Sequence, residues 1–196
     1  MLDLEVLDNP AAAAQAMDPV RGRILAALKT PGSAASLASR VGLTRQKVNY
    51  HLRVLEQHKL VVPFEERQWG GLTERRMVAT AESYVVSPAA LGPVAADPEQ
   101  SRDRLSASYL IALASRVVRE MGTLWRRARN SNKRLATLSL DTVIRFRSPA
   151  DRAAFTGELL DAIASLTARY HDEKSAAARP HRLIIASYPA PGEGQS

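Results

Sequence analysis

The chain of 196 residues contains no cysteine. A disulfide framework is therefore excluded, and so is any metal site built on thiolates. Aromatic residues make up only 5 % of the chain, too few for the stacking platforms on which single-stranded RNA is read. No apolar run approaches the roughly 20 residues that cross a bilayer. The opening Met1-Leu2-Asp3-Leu4-Glu5 is acidic where a secretory signal would be basic. The expectation is a soluble, cytoplasmic protein with no membrane partner. Also missing are the G-x-S-x-G elbow, the Walker loop, H-E-x-x-H and the dinucleotide fingerprint, so neither an enzyme nor a cofactor is expected. His51, His58, His171 and His181 include no pair at i, i+4 spacing, and no metal site is expected from them. His51, between Tyr50 and Leu52, reads as a structural histidine.

What is present is an ordinary globular composition, 45 % hydrophobic, with a net charge of +7. Such a balance suits a polyanionic partner, but its placement says more. Residues 20–76 carry eleven Lys and Arg against four acids. The leading segment to Met17 is acidic, through Asp3, Glu5 and Asp8. A second basic cluster, Arg126-Arg127-Ala128-Arg129 with Lys133-Arg134, suits either a nucleic-acid backbone or the negative end of a helix dipole.

Asp18-Pro19 marks a helix start, a capping acid followed by proline at the first helical position. Ile24, Leu25 and Leu28 share one face, and Thr30-Pro31-Gly32 breaks the run. Ser33 can cap a second helix through Leu37, Ala38 and Val41, and Gly42 sits where a left-handed residue would end it. After Leu43 alone, Thr44 caps a third helix over 44–58. Two helices joined by a short glycine-bearing turn form a helix-turn-helix. Val48, Leu52 and Leu55 make the inward stripe of the third helix, and Arg45, Gln46, Asn49 and Arg53 lie opposite. Short extended runs follow. Val61-Val62-Pro63-Phe64 and Arg75-Arg76-Met77-Val78-Ala79 flank Gly70-Gly71, a hairpin signal. This hairpin, over 64–78, reads as a wing.

The run Leu37-Ala38-Ser39-Arg40-Val41-Gly42-Leu43-Thr44-Arg45-Gln46-Lys47-Val48-Asn49-Tyr50-His51-Leu52-Arg53-Val54-Leu55 resembles the ArsR-type winged helix-turn-helix repressors of bacteria. Tyr50-His51-Leu52-Arg53-Val54-Leu55 followed by Lys59-Leu60-Val61, the opening Asp18-Pro19-Val20-Arg21 and the Arg75-Arg76 pair carry most of it. The resemblance spans about 18–86 and implies a sequence-specific transcriptional regulator acting on double-stranded DNA. The cysteines through which founding members sense metals have no counterpart here. On this reading helix 44–58 enters the major groove. Gln46 and Asn49 suit adenine, and Arg45 and Arg53 suit guanine or phosphate. Thr44 caps the helix or donates to a phosphate, Tyr50 touches a phosphate or packs at the core edge, and Arg67, Arg75 and Arg76 follow the flanking groove. The rivals are a winged-helix protein–protein interaction module and a non-specific nucleic-acid-binding protein.

Pro88 to Pro98 is rich in Pro, Ala and Gly and reads as a linker, which divides the chain into a DNA-binding domain, 1–95, and a second domain, 96–196. The second opens with a long amphipathic helix over about 101–129, whose stripe of Leu105, Tyr109, Leu113, Val117, Met121 and Leu124 suits a homodimer interface or packing within the protomer. Alternation from Leu138 to Arg147 predicts a half-buried strand, Ser148-Pro149 caps another helix with Phe155, Leu159, Ile163, Leu166 and Tyr170 on one face, and 181–188 reads as a last strand. That small unit would offer an apolar pocket for a small-molecule effector between its sheet and the long helix. The fold class expected is α+β: an N-terminal winged helix-turn-helix, a long dimerisation helix and a small α/β C-terminal unit. A dimer would read an inverted repeat.

Overall fold

The computed structural model describes residues 1–69 and 72–191. It is mixed α+β and divides into two compact units, Met1–Leu135 and Ala136–Ser196. The boundary expected at residue 95 is thus corrected to one after Leu135, because the long helix packs on the N-terminal unit.

The first unit begins with strand β1 (Leu2–Leu7) and helix α1 (Pro10–Met17). Asn9 caps α1 through the amides of Ala11 and Ala12, with Pro10 at its start. The same device recurs at α2 (Pro19–Ala27), where Asp18 accepts from Val20 at 3.0 Å and Arg21 at 2.9 Å. These caps satisfy amides that a helix start otherwise leaves without partners. After strand β2 (Gly32–Ser33), Ser33 caps α3 (Ala34–Val41) in a reciprocal box with Ser36. Gly42 closes α3 at φ 68°, ψ 38°, a left-handed conformation that glycine adopts without a Cβ clash. Thr44 then caps α4 (Arg45–Gln57), accepting from the Lys47 amide at 3.3 Å. The sequence-derived boundaries of the helix-turn-helix hold.

Strands β3 (Val61–Trp69) and β4 (Leu72–Ala79) form the expected antiparallel hairpin, with β2 on the other edge of β4. The Gly70-Gly71 tip lies outside the described residues. The register shifts between Pro63 and Glu65, a bulge on an edge strand, where proline's missing N–H is tolerated. Strand β5 (Ala81–Val86) pairs parallel with β1, Leu2 opposite Ala81 and Leu7 opposite Val86.

The core gathers Ile24, Leu25 and Leu28 from α2, Leu37 and Val41 from α3, Val48, Leu52 and Leu55 from α4, and Leu60, Val61, Met77 and Ala79 from the hairpin. Ile24, Leu28, Leu37, Val48 and Leu55 have no exposed surface. Each such side chain contributes about 1.5–3 kcal/mol relative to exposure, so the helix-turn-helix is held rigidly on its sheet.

Ser33 also donates from its hydroxyl to Glu74 of β4 at 2.5 Å, and it is buried. One serine thus joins the start of α3 to the wing. Ser33→Ala is expected to lower unfolding stability by about 1–2 kcal/mol, the loss of a cap and a hydrogen bond together. Urea unfolding checks this, and a change of less than about 0.3 kcal/mol would show that the cap contributes nothing.

The segment read as a linker is ordered instead. It forms two short 3-10 turns, Pro88–Val94 and Pro98–Gln100, with Ser87 buried and capping the first. Helix α5 (Ala107–Asn130), capped by Ser106, follows. It lies on the N-terminal unit through small and cationic residues. A Cβ on Gly122 would stand 2.8 Å from the Val6 Cγ1 atom, so only glycine permits this approach. Arg116 pairs with Asp97 and Glu99 at 3.3 and 2.9 Å. Arg126 donates to the Val6 carbonyl at 3.1 Å and to Asp8 at 2.5 Å, and Arg129 pairs with Glu5 at 2.9 Å. The acidic leading segment therefore neutralises the basic end of α5, a use neither sequence reading of that cluster foresaw.

In the second unit, Ser148 caps helix α6 (Pro149–Tyr170), and the rings of Phe146 and Phe155 stand 5.4 Å apart. The two strands expected here do not form: 138–147 and 181–188 have no ladder. Alternation gives a segment an apolar face but no hydrogen-bond partner. Leu138 and Leu140 are 94 % and 89 % exposed, so the first part of that face covers nothing. The α+β class stands on the first unit's strands, and the strand–helix–strand sheet that was to wall an effector pocket is absent among the described residues. No helix among them is long and apolar enough to cross a membrane.

Candidate nucleic-acid interface

Helix α4 turns Val48, Leu52 and Leu55 into the core. The opposite ridge follows from the 3.6-residue period. Gln46, Asn49, Tyr50 and Arg53 lie on it, and all are exposed, as are Thr44 and Arg45 before them. Tyr50 is 63 % exposed, so it does not pack at the core edge. Arg45, Lys47 and Arg53 make no ion pair among the described residues, and no acid occupies the first turn. Lys47, which sequence reasoning did not single out, belongs with them. Its only sequence signal was its charge beside a capping threonine. The outer surface of α4 is thus a row of amides, guanidiniums and an ammonium, solvated and without partners from the chain itself.

The wing arginines are placed differently. Arg75 donates to both carboxylate oxygens of Glu56 on α4, at 2.9 and 2.6 Å, and lies 3.7 Å from Glu66. The hydrogen bonds to Glu56 raise its pKa further above the usual arginine value. Arg76 pairs with Glu65 at 3.0 Å, donates to the Pro31 carbonyl at 2.9 Å and lies 5.9 Å from the Phe64 ring centroid. These two residues, expected at a flanking groove, are occupied within the chain and brace the wing against α4 and the loop before α3. The Arg67 side chain lies outside the described set. No local pattern signals the brace, because Glu56 and Arg75 are distant in the chain and meet only when β4 folds back.

Behind the ridge, His51 stands edge-on to Tyr50 with ring centroids 5.3 Å apart, and its buried Nδ1 has no hydrogen-bond partner among the described residues. Burial lowers its pKa below the ordinary 6.5, Arg21 and Lys47 add to that, and Asp18 opposes them. The folded state therefore favours neutral His51. As pH falls below 6.5, the unfolded chain takes up this proton first, so stability declines through the window between 6.5 and the lower folded value. Asp18 has its own pKa lowered, chiefly by the Arg21 amide, below 3.8, so its stabilising charge persists through that window and is lost only at more acid pH. Urea midpoints taken at about pH 7.5 and 5.5 should fall for the native chain and change less for His51→Gln. Equal slopes for the two would remove His51 as the source.

The six residues expected at a dimer interface are not brought into one buried surface. Leu105 precedes α5 and is 98 % exposed. Tyr109, Leu113 and Met121 are half-buried, and Val117 and Leu124 are exposed. The face of α5 that packs on the first unit carries Ala112, Arg116, Gly122, Arg126 and Arg129. By the 3.6-residue period Val117 and Leu124 lie on the side away from that face, and both are exposed.

Among the described residues no group of three or more His, Asp or Glu could hold a metal ion. Comparison with known families matches residues 16–63 to a helix-turn-helix domain, from the end of α1 to the start of β3. The match is to the helix-turn-helix domain in general and does not single out the ArsR type. No curated protein matches the chain.

Proposed function

We propose that this chain is a sequence-specific DNA-binding transcriptional regulator, a dimeric, cytoplasmic repressor of the ArsR type. The observation that carries the reading is the outer ridge of α4. In a capped helix-turn-helix fixed on a tight core, Arg45, Gln46, Asn49 and Arg53 stay exposed and unpartnered. Ordering these side chains on a surface is unfavourable unless a partner repays it, and their donors and acceptors suit the edges of base pairs in a major groove. In this reading Thr44 and Tyr50 touch the phosphates beside that groove, and Arg75 and Arg76 hold the wing in place beside it.

Dimerisation rests on α5. Its polar, small-residue face is used within the protomer, which leaves Val117, Leu124 and Trp125 exposed and Leu113 and Met121 half-buried. A stripe of this length needs a partner surface, and a second copy supplies one with the two-fold symmetry of an inverted repeat. The test is selection of random duplex DNA against the purified chain, with enriched sites titrated at two salt concentrations. An inverted repeat with half-sites about one helical turn apart is the expected result. Binding without sequence enrichment, fading steeply as salt rises, would leave only a non-specific basic protein. No DNA binding at all would favour a winged helix for protein contacts.

A further inference from the structure

A cavity of about 540 Å³ opens in the first unit between strand β1, the end of α4 and the last turns of α5. Its size falls in the range of small-molecule sites. One wall is apolar, formed by Leu2, Val6, Leu7 and Leu60. The other is charged. Arg126 and Arg129 reach it from α5 and Lys59 from the turn after α4, against the carboxylates of Glu5 and Asp8. Arg126 is matched by Asp8 and Arg129 by Glu5, but Lys59 has no ion pair among the described residues. The cavity therefore keeps one uncompensated cation beside an apolar wall. Lys59 is also held at φ 59°, a left-handed conformation that costs a side-chain-bearing residue energy and tends to persist where function uses it. Its amide and that of Leu60 close the end of α4 onto the Glu56 and Leu55 carbonyls, each at 2.9 Å.

We propose that this cavity binds a small carboxylic acid with an apolar body. The ligand's carboxylate pairs with Lys59 and takes the place of Glu5 on Arg129, and its hydrocarbon lies against the half-buried Leu2 and Val6. Exchange of one carboxylate for another at Arg129 is close to neutral. The gain comes from neutralising Lys59 and from burying apolar surface. Because Gln57 and His58 on one side and Arg126 and Arg129 on the other line the same space, an occupant touches both the base-reading helix and the dimerisation helix. Any difference in affinity between two arrangements of these helices would shift DNA binding by that same amount. That consequence rests on the regulator reading above, whereas the binding itself does not.

The experiment is calorimetric titration of the full chain, free of DNA, with octanoate and with neutral octanol. Octanoate is expected to bind with one-to-one stoichiometry and octanol at least about tenfold more weakly. The double variant Lys59→Gln/Arg129→Gln should weaken octanoate by about tenfold or more. Gln57→Trp, which fills the mouth from an exposed position, should block it while circular dichroism confirms the native fold. No octanoate binding up to about 10 mM, equal affinity for octanol, or binding that survives both variants would each overturn the proposal. A chain that binds octanoate in this way but enriches no DNA sequence would keep the site and sink only the regulator.

Discussion

Leu55→Ala is expected to lower the unfolding free energy by about 2–5 kcal/mol. Leu55 lies at the end of the inward stripe of α4 with no exposed surface, and its carbonyl receives the Leu60 amide that turns the chain into β3. It is surrounded by a core drawn from three helices and the hairpin. The backbone around it is fixed by caps at Ser33, Gly42 and Thr44, so the site cannot collapse to fill the space. The larger end of the range follows from that rigidity. Met17→Ala, on a side chain 70 % exposed at the end of α1, should change stability by less than about 0.5 kcal/mol. Urea unfolding measures both. A loss below about 1 kcal/mol at Leu55 would mean that the core is looser than its burial implies.

The helix-turn-helix was legible because its signals are local. A cap such as Ser33 or Thr44, a left-handed Gly42 and apolar residues three and four apart act within one turn of helix and need no knowledge of the rest of the chain. The leading segment carried signals of the same kind that its charge obscured. Leu2, Leu4 and Val6 alternate with Asp3 and Glu5 as a half-exposed strand does, and Asn9-Pro10 repeats the start signal of Asp18-Pro19. Its partner β5 lies far along the chain, however, and a parallel pairing leaves no turn in the sequence to betray it. The same limit explains 138–147. Alternation there describes which face is apolar, while a strand exists only if another strand receives its amides. The linker reading failed for a further reason. Pro and Gly disfavour α-helix, but 3-10 turns accommodate them, and Arg116 on the following helix holds Asp97 and Glu99 in place.

At the candidate interface, residue type was legible and pairing was not. From the sequence alone Arg53 and Arg75 look equally free, since each has an acid close by, Glu56 three residues after Arg53 and Glu74 directly before Arg75. Only the folded hairpin brings Arg75 to Glu56 and Arg76 to Glu65. Each of these pairs is partly exposed and contributes less than about 1 kcal/mol to stability. What they fix is geometry. Arg75 ties the wing to the last turn of α4 through Glu56, the Ser33–Glu74 hydrogen bond ties it to the start of α3, and Arg76 links the two strands of the wing through Glu65 and reaches the Pro31 carbonyl. A helix-turn-helix and a wing joined in this way present a single rigid surface, and rigidity lowers the entropy lost on docking.

That division of labour separates two kinds of variant. Arg45→Ala and Gln46→Ala should each reduce affinity for the selected duplex by about 1–3 kcal/mol, roughly five- to more than hundredfold, and relax base preference at the position each reads. The loss is sequence-specific because an amide or guanidinium that pairs with one base edge leaves a wrong base unsatisfied. Arg75→Ala should behave differently. It frees Glu56 and the wing without removing a contact to a base, so affinity should fall by a similar factor for every sequence and the preferred site should stay the same. Titration of each variant against the selected duplex and its single-base variants distinguishes the two patterns. If Arg45→Ala and Gln46→Ala weaken all duplexes equally, α4 only positions the protein on the backbone. If Arg75→Ala alters base preference, its guanidinium leaves Glu56 in the complex, and the brace seen in the free chain is a resting state that DNA displaces.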